Sequence, residues 1–209
     1  MYIERALEPL VRRYSENFKI VAVTGPRQVG KTTMLKHLME EEAESGVDRV
    51  YVTLDNTAIL QTAKEDPALF LQRYRPPVLI DEIQKAPELL PYIKMIVDER
   101  DDCGSVWITG SQPLHLMKAV SESLAGRVGI VEMLGLSHSE VAGTPSEPYL
   151  PSADYFMRRV DTAKPFGVSE AYRQICAGSL PGIRALPDDL RAGGYESYLD
   201  TYIMRDIRD

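Results

Sequence analysis

The sequence lacks the features that would place it in several common classes of protein. None of its apolar runs approaches the ~20 residues that a membrane-spanning helix needs. Its two cysteines, Cys103 and Cys176, lie far apart without a CxxC or histidine companion, which indicates buried or idle thiols rather than a metal site or a disulfide. The net charge of −7 does not support nucleic-acid binding, because a nucleic-acid footprint is basic.

The N-terminal segment also lacks the uninterrupted apolar stretch of a signal peptide, since Glu4, Glu8 and Glu16 lie among its apolar residues. With neither a membrane span nor a secretory signal, the chain is expected to be cytoplasmic and to have no membrane partner. Its hydrophobic fraction of 44% and charged fraction of 26% are typical of a globular domain.

The first two-thirds of the chain alternate short apolar runs with helical patterns, which is typical of a parallel α/β sheet. Strands are expected at residues 19–24, 49–54, 78–80, 105–109 and 128–133. Helices are expected at residues 31–44, within 56–74 with a break at Pro67, at 88–100 and at 114–125. The predicted fold class is therefore α/β, with a central, mostly parallel five-stranded sheet flanked by helices.

The composition changes after Leu136. Residues 143–154 are rich in proline, serine and glycine, which predicts a loop or linker. A short helix at 169–177 is expected to precede a second loop at 178–182, giving a small helical extension. The last segment places apolar residues on one helical face, namely Tyr195, Tyr198, Leu199, Tyr202, Ile203 and Ile207.

That last face has nothing downstream to pack against, so the chain is expected to be truncated. The predicted organisation is a P-loop core at 1–135, a loop-rich helical extension at 136–194, and the start of a truncated C-terminal domain at 195–209.

The segment GPRQVGKT at residues 25–32 matches the P-loop pattern GxxxxGK[ST]. An apolar β-run precedes it and a helical pattern begins at its lysine, as a P-loop requires. Gly25 and Gly30 allow backbone N–H groups to wrap around phosphate oxygens, next to the positive end of the helix. Lys31 is expected to neutralise the β- and γ-phosphates, and Thr32 to coordinate Mg²⁺. The residues predicted to bind ATP are Gly25, Pro26, Arg27, Gln28, Val29, Gly30, Lys31, Thr32 and Thr33.

Two acidic residues, Asp81 and Glu82, follow the apolar run VLI. Because ligands bind beside the C-terminal ends of strands in open α/β sheets, Asp81 is predicted to hold Mg²⁺ in the Walker B role. Glu82 is predicted to polarise the attacking water. Ser111, after the next strand, is predicted to aim its hydroxyl at the γ-phosphate, with a plain turn as the alternative.

Arg127 follows a helical pattern and is a candidate arginine finger, a residue that contacts the γ-phosphate bound to a neighbouring subunit. Composition alone favours the alternative, a salt bridge or carbonyl cap at the end of the helix. For Asp55, at the end of the second predicted strand, a structural role in a turn is preferred.

Eight segments occur together and in order: GPRQVGKTT, YVTLD, LIDEIQKAPELL, ITGS, SLAGR, LSHSE, GSLPG and TYIMRDIRD. They resemble the predicted AAA-type P-loop ATPases of bacteria and archaea, in which an ATP-binding domain is followed by a C-terminal domain of unknown function. The resemblance covers nearly the whole chain, and LIDEIQKAPELL and SLAGR are more specific than the P-loop itself. It implies an AAA-type fold and the Walker A and B roles given above.

The same resemblance places Arg127 where AAA-type ATPases often carry an arginine finger, which implies a homo-oligomer. The sensor position departs from the family pattern. AAA-type enzymes often have asparagine there, whereas this chain offers Ser111 and Gln112.

The expected function is ATP hydrolysis coupled to rearrangement of an attached domain or of an unknown protein partner. The alternative is a non-catalytic or very slow nucleotide-dependent switch. A small-molecule kinase is disfavoured by the second acid, Glu82, and by the absence of an arginine-rich lid. GTP specificity is disfavoured because no NKxD-type motif appears.

Overall fold

A computed structural model of the chain describes residues 2–111, 123–144, 150–162 and 166–203. The chain divides into two compact units. The first unit is Leu7–Gly135, and the second combines Met1–Ala6 with Leu136–Asp209. The separate domain predicted to begin at residue 195 stays a prediction.

The first unit contains a five-stranded sheet in the order β2-β3-β4-β1-β5. Every neighbouring pair of strands is parallel, which confirms the predicted fold class. The strands are β1 (Ile20–Thr24), β2 (Val50–Thr53), β3 (Val78–Asp81), β4 (Val106–Gly110) and β5 (Val128–Glu132). Each lies within one residue of its expected bounds, because short β-branched runs between turn residues are a strong strand signal.

The burial of each strand follows its place in the sheet. The three central strands, β3, β4 and β1, are buried along their whole length, as is expected of parallel strands covered on both faces. The edge strand β5 alternates in burial along its length, and β2 is only partly buried. The central strands therefore read as continuous apolar runs in the sequence, and the polar residues that follow them mark one edge of the sheet.

The helices of the first unit either precede β1 or lie between strands in the chain. They are α1 (Glu8–Asn17), α2 (Lys31–Glu44), α3 (Thr57–Glu65), α4 (Pro67–Arg73) and α5 (Leu89–Asp98), with a 3₁₀-helix at Ile83–Lys85. The break predicted at Pro67 occurs there, where Asp66 accepts a hydrogen bond from the Leu69 N–H and caps α4. Helix α1 was not predicted, and Ser15 within it accepts a hydrogen bond from the buried Trp107 at 2.6 Å.

The second unit is helical in the residues described. Its elements are α6 (His138–Ala142), α7 (Ala153–Thr162), α8 (Val168–Ala177), α9 (Pro181–Arg184), α10 (Arg191–Tyr198) and a π-helix at Leu199–Ile203. Two loop predictions were wrong in part. The loop expected to run to residue 154 ends at Ser152, which accepts a hydrogen bond from the Tyr155 N–H and starts α7. The loop expected at 178–182 ends at Leu180, because α9 begins at Pro181, where a proline suits a helix start.

Several sequence-based predictions fall outside the described residues. These are most of the helix expected at 114–125, the alternative sensor residue Gln112, and Ile207 on the last apolar face. Both cysteines are exposed free thiols, which contradicts the buried alternative and leaves the idle one. None of the helices described is long and apolar enough to cross a membrane.

Candidate functional site

The P-loop connects β1 to α2 at the edge of the sheet where the parallel strands end. Gly25 has φ +136°, and a Cβ placed on it would lie 2.0 Å from the Met133 carbonyl oxygen. Only glycine lets the loop leave β1 this close to the backbone that follows β5. Gly30 has φ +98° and Gln28 has φ +62°, so the loop coils through two further left-handed residues before the helix begins. The result is a compact turn whose backbone lies at the N-terminus of α2.

The N-terminus of α2 carries no side-chain cap. Its N-cap residue is Gly30, which has no side chain to accept hydrogen bonds from the first turn. The N–H groups of that turn, together with the helix dipole, form the kind of site that binds phosphate oxygens. Among the other residues predicted to bind ATP, Val29 is buried, while Pro26, Gln28 and Thr33 are exposed. Arg27 is partly buried.

Lys31 is held at the centre of the loop. Its side chain is 5% exposed, and its Nζ donates hydrogen bonds to the carbonyl oxygens of Gly25 at 2.9 Å and Pro26 at 2.7 Å. Burial lowers the pKa of Lys31 below its ordinary value, whereas the negative charges of Glu82 and Asp81 act in the opposite direction. An ammonium with little solvent around it is a strong partner for the negative charge of a polyphosphate.

Thr32, in the first turn of α2, contacts Asp81 at the C-terminal end of β3. The Thr32 hydroxyl donates a hydrogen bond of 2.7 Å to Asp81 Oδ1, and Thr109 donates to the same oxygen at 2.6 Å. Tyr51 on β2 donates to Asp81 Oδ2 at 3.2 Å. Burial, and then the charge of Asp81, raise the pKa of Tyr51 to about 12, so its hydroxyl keeps the proton that it donates. Both oxygens of Asp81 are thus oriented by neighbouring hydroxyls.

This arrangement suits Mg²⁺. The hydrogen of Thr32 is directed to Asp81, which leaves the hydroxyl lone pairs for a cation, and hydroxyl and carboxylate oxygens are ligands that Mg²⁺ prefers. In the described residues, no group of three or more His, Cys, Asp and Glu side chains forms a metal cage. Mg²⁺ commonly binds through one or two protein oxygens and substrate phosphates, so Thr32 and Asp81 fit such a site.

Glu82 follows Asp81 and has an unusual backbone. It has φ +60° and ψ +46°, a left-handed conformation that costs about 1–2 kcal/mol for a residue with a side chain. Its N–H donates to the Thr109 hydroxyl at 3.1 Å, so Thr109 bridges the backbone of Glu82 and the carboxylate of Asp81. Ser111 donates to Glu82 Oε2 at 3.0 Å, and Gln84 donates to the same oxygen. Strain of this kind persists where the surrounding contacts hold it and is common at functional sites.

The structure brings most of the predicted site residues together. Lys31 and Thr32 follow β1, Asp81 and Glu82 end and follow β3, and Ser111 follows β4. Because β3, β4 and β1 are adjacent and parallel, their C-terminal ends lie side by side. The hydrogen of Ser111 is donated to Glu82 here, and its predicted contact with a γ-phosphate stays a prediction.

Arg127 lies apart from this group. It directly precedes β5, whose first residue pairs with Ile20 at the start of β1, whereas the P-loop follows the end of β1. The two positions are separated by the length of a five-residue strand, about 16 Å. Arg127 donates to Asp98 Oδ2 at 2.9 Å and to the Ala125 carbonyl oxygen at 3.0 Å. The hydrogen bond from Arg127 lowers the pKa of Asp98 below its ordinary value.

These contacts are the salt bridge and carbonyl cap that composition alone favours. A contact between Arg127 and a γ-phosphate would require a neighbouring subunit. Within one chain, Arg127 lies where the parallel strands begin and the P-loop lies where they end. Asp55 lies in the turn after β2, in agreement with the structural role preferred for it, and forms an ion pair with Lys85.

Three residues that contact the acidic pair were not singled out from the sequence. Tyr51, Gln84 and Thr109 are polar residues in or just after apolar segments. The available sequence signal for Thr109 was its position directly after the apolar run VWI, and the structure buries it fully near the end of β4, which is unusual for a polar residue. Nothing local marks Tyr51, because its contact with Asp81 depends on the order of the strands. The contact of Gln84 with Glu82 depends on the left-handed turn between them, which the sequence does not signal.

Comparison with known proteins agrees with this architecture. Residues 17–142 match the family model described as AAA domain. Two curated relatives, uncharacterised proteins of Mycobacterium bovis (strain ATCC BAA-935 / AF2122/97) and Mycobacterium tuberculosis (strain ATCC 25618 / H37Rv), are each 29% identical over 198 residues. These alignments cover 94% of this chain and 38% of each relative, so the chain spans under two fifths of their length.

A solved structure is similar in fold. The AMPPCP-bound structure of DnaA from Aquifex aeolicus gives a TM-score of 0.50 with 12% sequence identity. The match covers 92% of this chain and 59% of that chain. At this level of identity the likeness concerns the fold, which is that of P-loop ATPase domains of the AAA type.

Proposed function

The chain belongs to the AAA domain family, and we propose that it binds ATP with Mg²⁺ and hydrolyses it to ADP and phosphate. One observation carries the proposal beyond nucleotide binding. Asp81 ends β3, Glu82 follows it, and both carboxylates lie near Lys31 and Thr32. A carboxylate suited to bind a cation is therefore adjacent to one suited to act as a base.

In this proposal the phosphates lie against the N-terminus of α2. The N–H groups there and the Lys31 ammonium hold the β- and γ-phosphate oxygens. Thr32 and Asp81 hold Mg²⁺, which supplies charge neutralisation on the same phosphates. Lys31 then exchanges its hydrogen bonds to the Gly25 and Pro26 carbonyl oxygens for stronger ones to phosphate oxygens, in which donor and acceptor are both charged.

Glu82 acts on the attacking water. Its carboxylate accepts a hydrogen bond from the water and orients the oxygen toward the γ-phosphorus. A bond forms between that oxygen and phosphorus as the bond to the β,γ-bridging oxygen breaks. ADP leaves with the electron pair, and the proton of the water passes to Glu82 or to the phosphate formed.

We also propose that hydrolysis drives a structural rearrangement. The relatives are much longer than this chain, which suits an ATPase whose turnover rearranges an attached domain or a protein partner. A homo-oligomer in which Arg127 contacts the γ-phosphate of a neighbouring subunit is the form of assembly we propose. A cytoplasmic location stays a prediction.

Steady-state phosphate release tests hydrolysis. Wild type should release phosphate in a Mg²⁺-dependent manner, and Glu82→Gln should reduce kcat by about 100-fold or more because it removes the base. Lys31→Ala should abolish turnover by weakening ATP binding. Glu44→Gln is a matched control, since Glu44 is the exposed last residue of α2, at the end of the helix opposite the P-loop.

The second candidate, a slow nucleotide-dependent switch, is favoured by the hydrogen bonds that already occupy Glu82 Oε2. The two candidates differ in one outcome. If wild type and Glu82→Gln bind ATP equally and release phosphate equally slowly, the enzyme proposal fails and the switch remains.

A further inference from the structure

Three polar side chains beside the proposed catalytic centre form a closed ring of hydrogen bonds. Gln84 Nε2 donates to Glu82 Oε2 and, at 3.1 Å, to Ser111 Oγ. Ser111 Oγ donates in turn to Glu82 Oε2 at 3.0 Å. Both donors therefore bind the same carboxylate oxygen, Oε2. Among the described residues, none donates a hydrogen bond to Glu82 Oε1.

The direction of each hydrogen bond in the ring follows from the chemistry of its members. A carboxylate oxygen can only accept, so the amide of Gln84 must turn its nitrogen toward Glu82. The single hydrogen of Ser111 is then donated to Glu82, and its lone pair accepts from Gln84. With the amide in this orientation, Gln84 Oε1 is buried and has no hydrogen-bond partner in the part of the chain that the structure describes.

An unsatisfied buried acceptor is unfavourable, so the orientation of Gln84 is maintained at a cost. Rotating the amide by half a turn would relieve Oε1 only by directing an oxygen at the carboxylate. The contact with Glu82 thus outweighs the loss at Oε1.

The backbone brings the ring together. Glu82 adopts its left-handed conformation with its N–H bound to Thr109, and the 3₁₀-helix Ile83–Lys85 begins directly after it. That tight turn returns Gln84, two residues further on, to the side chain of Glu82. Ser111 approaches from the end of the neighbouring strand β4. Two independent segments therefore supply the donors.

We propose that Gln84 is a positioning residue which, with Ser111, holds Glu82 Oε2 so that Oε1 is the oxygen that contacts the attacking water. This inference rests on the proposed ATP hydrolysis and deepens it by assigning separate tasks to the two carboxylate oxygens. A glutamate side chain has three rotatable bonds, and fixing one oxygen from two directions removes most of that freedom before the water binds.

The test compares Gln84→Met, which keeps the length of the side chain and removes its hydrogen bonds, with wild type. We expect kcat to fall by about tenfold or more, because Glu82 is no longer oriented. The dissociation constant for AMPPCP, a non-hydrolysable analogue of ATP, should stay within twofold. Ser111→Ala removes one of the two donors and should lower kcat less. Gln72→Met is the matched control, since Gln72 is exposed on α4, before β3 begins.

A double-mutant comparison separates positioning from a structural role. If Gln84 acts through Glu82, adding Gln84→Met to Glu82→Gln should change the residual rate by less than about twofold. The same fold loss in both backgrounds would overturn the proposal, as would an unchanged or higher kcat for Gln84→Met alone. Gln84→Glu keeps the shape of the side chain and replaces the donor with an acceptor. If Gln84→Met does not fold, normal turnover in Gln84→Glu overturns the proposal and a tenfold loss with intact AMPPCP binding supports it.

The failure of this inference is distinguishable from the failure of the proposed function. If wild type releases no more phosphate than Lys31→Ala, hydrolysis and the role of Gln84 fail together. If wild type turns over and Gln84→Met matches it, only the role of Gln84 fails.

Discussion

Thr32 donates its hydroxyl hydrogen to Asp81 Oδ1 at 2.7 Å, although 49 positions separate the two residues in the chain. The contact joins the first turn of α2 to the end of β3, with Thr109 on the same oxygen. Because the hydroxyl lone pairs remain available, the pair is arranged to hold a divalent cation once phosphates supply further ligands.

Removal of the Thr32 hydroxyl should therefore weaken the binding of Mg²⁺ with ATP. We expect Thr32→Ala to raise the Mg²⁺ concentration needed for half-maximal binding of a fluorescent ATP analogue by about tenfold. Binding measured with EDTA present should change little. Thr57→Ala, at the exposed first position of α3, is the control. Equal loss of binding with and without Mg²⁺ would assign Thr32 a role in the shape of the P-loop instead.

Arg127 should be required in trans if it is an arginine finger. Lys31→Ala and Arg127→Ala proteins, each inactive alone, should regain part of the activity when mixed, because hybrid interfaces combine an intact P-loop with an intact arginine. Phosphate release across a mixing series measures this.

Asp98→Ala is the control for Arg127, since it breaks the ion pair and leaves the arginine in place. We expect Asp98→Ala to retain activity. Absence of rescue in the mixture, together with equal effects of Arg127→Ala and Asp98→Ala on thermal stability and turnover, would leave Arg127 with the structural role alone.

The close approach of Gly25 to Met133 should make that glycine irreplaceable. Gly25→Ala adds a left-handed strain and a contact of 2.0 Å with a backbone carbonyl, so we expect a loss of roughly 3 kcal/mol or more in the free energy of unfolding. Gly46→Ala has φ +91° and open space around its Cβ, and should cost only about 1 kcal/mol. Urea unfolding measures the free energy of unfolding of both variants. Equal losses would show that the backbone strain, and not the contact with Met133, causes the destabilisation.

Glu140 should make the second unit sensitive to acid. Burial acts to raise the pKa of Glu140, but hydrogen bonds from the N–H groups of Ser137 and Ala6 and from the Arg5 side chain together hold that pKa below its ordinary value. A carboxyl whose pKa is lowered on folding contributes stability above its unfolded pKa and loses it as the pH falls through the folded pKa. That window lies below about pH 4.3.

We therefore expect Glu140→Gln to lower the Tm at neutral pH by several degrees and to remove part of the acid dependence below that pH. Thermal unfolding between acidic and neutral pH provides the measurement. Glu196→Gln, at an exposed position of α10, should behave as wild type. A Glu140→Gln profile parallel to wild type at all pH values would contradict the argument.

The fold of the first unit could be predicted from the sequence because its signals are local. The runs IVAVT and VLID are apolar and short, and turn residues bound them, so their strands were expected within one residue of where they lie. Helix α7 could not be predicted in the same way. Proline and serine dominate the residues before it, and the cap that starts it is a single hydrogen bond from Tyr155 to Ser152.

The sequence by itself determined the P-loop, the alternation of strands and helices that predicts a parallel sheet, and the membership of the AAA domain family, since local patterns of residues carry each of them. Only the tertiary structure decided which side chains surround the two acids. The strand order β2-β3-β4-β1-β5 brings Tyr51, Thr109 and Ser111 to Asp81 and Glu82, and no local spacing records that order. The shared direction of the strands likewise placed Arg127 at the end of the sheet opposite the P-loop, where the strands begin. A residue before one parallel strand cannot lie beside a residue that follows the neighbouring strand.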